Sequence, residues 1–128
     1  MTVDKQPRPS HPSAQRLTLQ AEGAFICILC VATYAQTGMG WLWFALLFLA
    51  PDLAMLGYLA GKRVGALCYN LAHSYLLPLL MIGTLTVWPD QYTIGLALIW
   101  CAHIGFDRAI GYGLKYGRGF KDNHLQRL

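Results

Sequence analysis

The chain has 128 residues, 55% of them hydrophobic and only 12% charged, with a formal net charge of +4. That length allows one domain, and the composition is too apolar for a soluble domain of this size. A nucleic-acid binder is excluded as well, because no basic groove with interleaved aromatics is visible and the charges cluster at a few places instead.

The charge-free runs locate the elements. Residues 23–51, 53–61, 64–89 and 91–106 contain no Asp, Glu, Lys or Arg. A membrane span needs about 20 apolar residues at 1.5 Å rise each, so these runs predict transmembrane helices. A soluble all-α bundle would need polar faces at helical spacing, and residues 40–61 and 64–87 offer none.

In chain order, residues 1–16 carry Pro, Ser and charge without periodicity and are expected to form a disordered tail. The first long run breaks at Gln36-Thr37-Gly38-Met39-Gly40, a glycine-bearing turn. Further turns fall at Gly61-Lys62-Arg63 and Trp88-Pro89-Asp90-Gln91. The expected fold is therefore an all-α membrane protein, an antiparallel four-helix transmembrane bundle over residues 17–114. Its helices are expected near 17–36, 40–61, 63–87 and 92–114, with residues 115–128 as a C-terminal segment. Residues 24–32 also resemble a signal-peptide core, with Thr33-Tyr34-Ala35 as its cleavage site. Glu22 at the edge of the run and the second apolar run close behind favour a retained span.

Orientation follows from the basic residues. Lys5, Arg8 and Arg16 precede helix one, and Lys62 and Arg63 join helices two and three. Arg108, Lys115, Arg118, Lys121 and Arg127 end or follow helix four. All ten thus fall on one side, and the positive-inside rule places both termini in the cytoplasm. Trp41, Trp43, Trp88 and Tyr92 then form the outer aromatic belt, with Tyr112 and Tyr116 at the inner interface.

Five polar residues lie inside these apolar spans: Asp52, Asn70, His73, His103 and Asp107. Counted from the cytoplasmic ends of their helices they are about 10–17 Å deep, so three helices deliver polar groups to one layer. Asn70 and His73 are i,i+3, and His103 and Asp107 are i,i+4, so each pair shares a helix face. Pro51 frees a backbone carbonyl one turn earlier, a break tolerated where it is buried in protein or lines a cavity. Arg108 follows Asp107 about 100° round the helix. It either snorkels to the inner interface or pairs with Asp52 or Glu22.

An ionisable group in a membrane is a hypothesis about function, and several uses fit this layer. The commonest is a satisfied interhelical hydrogen-bond network that locks the bundle. A second is a divalent metal such as Zn²⁺ held by His73, His103 and Asp107 or Asp52. The remaining Asp would orient a His or act as base, giving a hydrolase-like enzyme with Asp52 and Asp107 as catalytic candidates. A third is a proton or ion relay in a small transporter. Bis-His haem ligation is disfavoured by the acidic neighbours. Cys27 and Cys30 make a C-x-x-C inside an apolar helix, and Cys68 and Cys101 read as packing residues. Gly57 and Gly61 form a G-x-x-x-G step, which signals close helix packing. Expected partners are the lipid bilayer, a small-molecule ligand of unspecified chemistry and, in a homo-oligomer, a second copy of the chain.

Three segments carry a family resemblance: Pro51-Asp52-Leu53-Ala54-Met55-Leu56-Gly57-Tyr58, Tyr69-Asn70-Leu71-Ala72-His73-Ser74-Tyr75 and Ala102-His103-Ile104-Gly105-Phe106-Asp107-Arg108. Gly111-Tyr112-Gly113-Leu114-Lys115-Tyr116 and Phe120-Lys121-Asp122-Asn123-His124-Leu125 continue it. Over about residues 17–128 the chain resembles the small integral-membrane family catalogued as domain of unknown function 4260. The resemblance implies a multi-pass protein of the bacterial inner membrane and no particular activity. Ala54 and Asn123 stand where it leads one to expect Ser and Thr.

Overall fold

The computed structural model describes residues 13–111. Among them every regular element is helical: α1 (Ala14–Gln36), α2 (Trp41–Phe48), a 3-10 helix (Ala50–Ala60), α3 (Lys62–Ala72), α4 (Leu76–Thr84) and α5 (Gln91–Ala109). The tail expected over 1–16 lies largely outside the described residues. So do the end of the span expected to reach residue 114 and the segment 115–128.

Burial runs opposite to that of a water-soluble protein. Leu59, Val87, Trp88 and Leu42 are 88%, 84%, 77% and 72% exposed, while the buried polar residues are His73 and His103. So much contiguous apolar surface needs an apolar solvent or partner. Two helical segments are long and apolar enough to cross a membrane, Ala14–Gln36 and Trp41–Ala60, and α3 with α4 makes a third if their 42° bend lies within one span.

α5 is the interior helix. It buries Gly95, Ala97, Ile99 and the whole stretch from Cys101 to Gly105, and it packs against α1, α2 and α4. The α1–α5 contact is made by glycine. A Cβ on Gly23 would stand 2.7 Å from Arg108 Cβ and 2.8 Å from the Gly105 carbonyl; one on Gly105 would stand 2.5 Å from the Gly23 carbonyl. Helices in lipid gain little from burying apolar surface, so close backbone approach at small residues supplies the van der Waals contact instead. Further along the pair, Cys30 and Cys101 share one core cluster with Ala102, and Tyr34 packs near Gly95. The pairings 23 with 105 and 34 with 95 make the two helices antiparallel.

The segment expected as one α-helix over 40–61 changes type at Pro51. Proline has no N–H to donate into an α-helical ladder, and Asp52 N–H bonds the Leu49 carbonyl three residues back at 3.1 Å. The 3-10 winding persists for 11 residues, far beyond the usual three or four. At about 2 Å rise per residue it covers about 22 Å, which lets a short segment reach across an apolar core. Gly57 admits Cys68 against the 3-10 backbone, and Tyr58 lies over Gly65 of α3. Gly61 has no such contact; at φ 129° it makes the turn between the two.

The segment expected as one helix over 63–87 is also broken. α3 stops at Ala72 and α4 begins at Leu76, with Pro78 buried in the first turn of α4. There its missing N–H leaves no gap, but its ring would clash with the Ser74 carbonyl if the helix ran on. The Ala72 carbonyl beside the break is taken by Trp100 Nε1 of α5 at 2.5 Å.

Candidate metal centre

Each break delivers a side chain. Asp52 sits one residue after Pro51 in the first turn of the 3-10 helix. His73 closes α3, its backbone N–H bonding the Tyr69 carbonyl at 2.8 Å. His103 and Asp107 stand one turn apart on the buried stretch of α5.

Their side chains converge on a point. His73 Nε2 lies 3.1 Å from His103 Nε2. Asp52 Oδ1 is 3.2 Å from the first and 3.3 Å from the second. Asp107 Oδ2 is 3.4 Å and 3.2 Å from the same two atoms. All four donors lie within 4.8 Å of one another. A point equidistant from four such atoms is about 2.0–2.4 Å from each, the distance at which a divalent cation bonds imidazole nitrogen and carboxylate oxygen.

The surrounding groups fix the imidazoles. His73 Nδ1 is 2.9 Å from the Tyr69 carbonyl, which can only accept, so Nδ1 carries the hydrogen and Nε2 of a neutral His73 presents a lone pair. A ligating histidine has this arrangement, with its far N–H tied to a carbonyl. The Tyr69 ring stacks on His73 at 3.8 Å and 6°, and Phe48 meets His103 edge-on at 5.0 Å. Both histidines are almost wholly buried, whereas the side chain of Asp107 is 17% exposed and that of Asp52 44%. The centre is closed on the α3–α5 side and open at Asp52.

Two other expected site residues lie on the same helices as the donors. Asn70 lies one turn before His73 on α3 and is half-buried. Arg108 joins neither Asp52 nor Glu22, and its guanidinium sits 4.8 Å over the Tyr75 ring. Of the expected alternatives, the ion pair with Asp52 or Glu22 is not formed, and Arg108 makes a cation–π contact instead. Tyr69, Phe48 and Trp100 support the centre without having stood out in the sequence. Trp100 is three residues before His103 and so on the same face of α5, the one signal that could have found it.

The motif segments quoted above, 51–58, 69–75 and 102–108, contribute all four converging side chains. The family's sequence profile, Domain of unknown function (DUF4260), matches residues 16–128. The chain belongs to the DUF4260 family. No curated protein and no solved structure matches it. Within this DUF4260 chain, the expectation that polar side chains from separate apolar segments meet in a buried cluster is met for Asp52, His73, His103 and Asp107.

Proposed function

We propose that this chain is a four-span membrane protein that holds a divalent metal ion, Zn²⁺ or one of similar preference, between His73, His103 and Asp107 and uses it as a hydrolase does. One observation carries the reading: four lone-pair donors meet at one point with too few hydrogens among them. His73 Nδ1 spends its hydrogen on Tyr69. With both histidines neutral, that leaves one hydrogen, on His103, for two carboxylates and the His73 lone pair within 3.1–3.4 Å. With no further proton, a structural network would leave lone pairs facing one another in a buried site, an arrangement that disfavours folding. A cation held by all the donors removes the conflict without an added proton.

Asp52 supports the enzymatic use. Structural zinc sites are closed, whereas catalytic ones keep a position open. Here the fourth donor is the half-exposed carboxylate, placed to act as general base. A divalent ion at such a site supplies Lewis acidity and brings a bound water toward ionisation at neutral pH. Transport has less support, since a relay needs polar groups that continue across the bilayer. Residues 74–89 and 91–102 contribute no Asp, Glu, His, Lys or Arg to the outer half.

Four spans, with α5 as the fourth, and cytoplasmic termini are part of the same proposal. The ten basic residues support them, as does the interior position of α5, which packs against α1, α2 and α4.

The test is elemental analysis of protein purified without added metal, beside His73→Ala and His103→Ala. About one equivalent of Zn, Mn or Fe per chain is expected in the wild type and little in either variant. A wild type with no stoichiometric metal, before and after incubation with Zn²⁺, overturns the reading.

A further inference from the structure

Two apolar cavities share a wall, and one of them is lined by chain neighbours of the centre's residues. The nearer, about 230 Å³, is walled by Leu47, Pro51, Ala54, Ala72, Leu96 and Trp100. Pro51 and Ala72 immediately precede Asp52 and His73, and Trp100 spans the wall to the Ala72 carbonyl. The second, about 480 Å³, shares Leu47 and Leu96 with the first and extends to Met39, Trp43 and Tyr92. Together they form one groove along α2 and α5, from the predicted outer aromatic belt down to Pro51, Ala72 and Trp100, the near neighbours of the His/Asp cluster.

We infer that this groove holds the hydrocarbon chain of a lipid-like amphiphile whose polar head reaches the cluster, so that the substrate class is an acyl-chain amphiphile; this rests on the metal-centre reading. Length is the first argument. From Tyr92 to His103 is 11 residues of α5, about 16 Å at 1.5 Å per residue, and one leaflet's hydrocarbon is about 15 Å deep. Lining is the second. The walls are aliphatic and aromatic throughout, and Ala54 and Ala72 keep the end beside the cluster wide. Ala54 holds the position where the family resemblance leads one to expect Ser, so this end is more apolar here. Access is the third. Trp43, Tyr92 and Leu96 are 60%, 67% and 39% exposed, so the groove opens sideways, where lipid would lie. Polarity is the fourth. The inner end of the groove is walled by Pro51 and Ala72, the residues that precede Asp52 and His73, and the Asp52 carboxylate is 44% exposed, so a head group need pass only these neighbours to reach the open side of the centre.

The experiment reconstitutes the full-length protein in phosphatidylcholine vesicles with a fatty acid bearing a mid-chain diazirine. The hydrocarbon of equal length bearing the same diazirine runs in parallel. After photolysis, labelled residues are mapped by mass spectrometry and metal content is measured on the same samples. The expected result is at least five-fold more label from the acid at Leu47, Leu96 and Trp100 than at lipid-facing Leu59 and Val87. The hydrocarbon should show no such preference. Leu47→Trp and Leu96→Trp, which fill the groove at the wall the two cavities share and away from the metal donors, should abolish the preference at the remaining groove residues while keeping the wild-type metal content. If one of them does not fold, the other carries the test. Equal labelling of groove and lipid-facing residues overturns the inference, as does equal preference for acid and hydrocarbon, which marks an ordinary annular lipid. Absence of metal from the wild type is read separately: it removes the metal-centre reading, whereas either labelling result with metal present removes only the substrate class.

Discussion

His73 Nε2 and His103 Nε2 stand 3.1 Å apart, although they come from different helices and both rings are buried. Each also faces Asp52 and Asp107 at 3.2–3.4 Å. Two unprotonated ring nitrogens at that distance repel unless a proton or a cation lies between them. Tyr69 has already taken the other hydrogen of His73.

Metal binding should therefore stabilise the fold. At a free Zn²⁺ concentration one hundred times Kd, linkage gives about 2.7 kcal/mol of stabilisation, read as a rise in Tm of the detergent-solubilised protein that chelation reverses. The ligands must be deprotonated to bind, so protons compete with metal. The Zn²⁺-dependent rise should shrink as pH is lowered, because the histidines then hold protons that metal binding must displace. A rise that is the same at pH 5 and pH 8 contradicts binding through these histidines.

The two carboxylates should separate by role. Asp107→Asn removes a nearly enclosed donor and is expected to lower metal affinity at least ten-fold. Asp52→Asn should reduce affinity less while abolishing whatever hydrolysis the protein performs. Equilibrium dialysis against Zn²⁺ on both variants checks the first half. Equal losses of affinity make Asp52 an equivalent ligand and remove its assignment as base.

Trp100→Phe keeps an aromatic ring, though a smaller one, and leaves the Ala72 carbonyl without its 2.5 Å donor. The expected loss is about 1–3 kcal/mol, measured by denaturant titration in mixed micelles. Because that carbonyl marks the break that aims His73, metal affinity should fall too. Unchanged affinity would show that Pro78 alone fixes the break.

Gly23→Ala and Gly105→Ala each push a methyl into the opposing helix, 2.7 Å and 2.5 Å from the nearest atoms of that partner. Overpacking of this kind costs about 1–3 kcal/mol. Gly83→Ala in α4 meets nothing within 4 Å and should be neutral or stabilising by up to about 1 kcal/mol. The three variants compared in one unfolding assay test whether glycine contact holds α1 to α5.

Orientation can be checked by single cysteines at Thr37, Lys62 and Asp90, labelled in intact cells with a membrane-impermeant maleimide against the wild type, whose own cysteines are buried or half-buried. Positions 37 and 90 should label at once, and position 62 only after permeabilisation. The reverse pattern inverts the topology.

The sequence by itself determined which residues belong to the polar layer, because an ionisable group in an apolar run stands out and helical rise converts position into depth. It determined the turn at Gly61, because that backbone conformation favours glycine. What only the tertiary structure decided is that four side chains share one point rather than one layer. Depth counting is blind to rotation about each helix axis, and the rotations here are set by features without a periodic signature. One is the 3-10 winding after Pro51, another the break that Trp100 satisfies before Pro78, and a third the glycine contact of α1 with α5. Arg108 shows the same limit from the other side. It follows Asp107 directly, yet its guanidinium lies over the Tyr75 ring and pairs with neither carboxylate of the cluster.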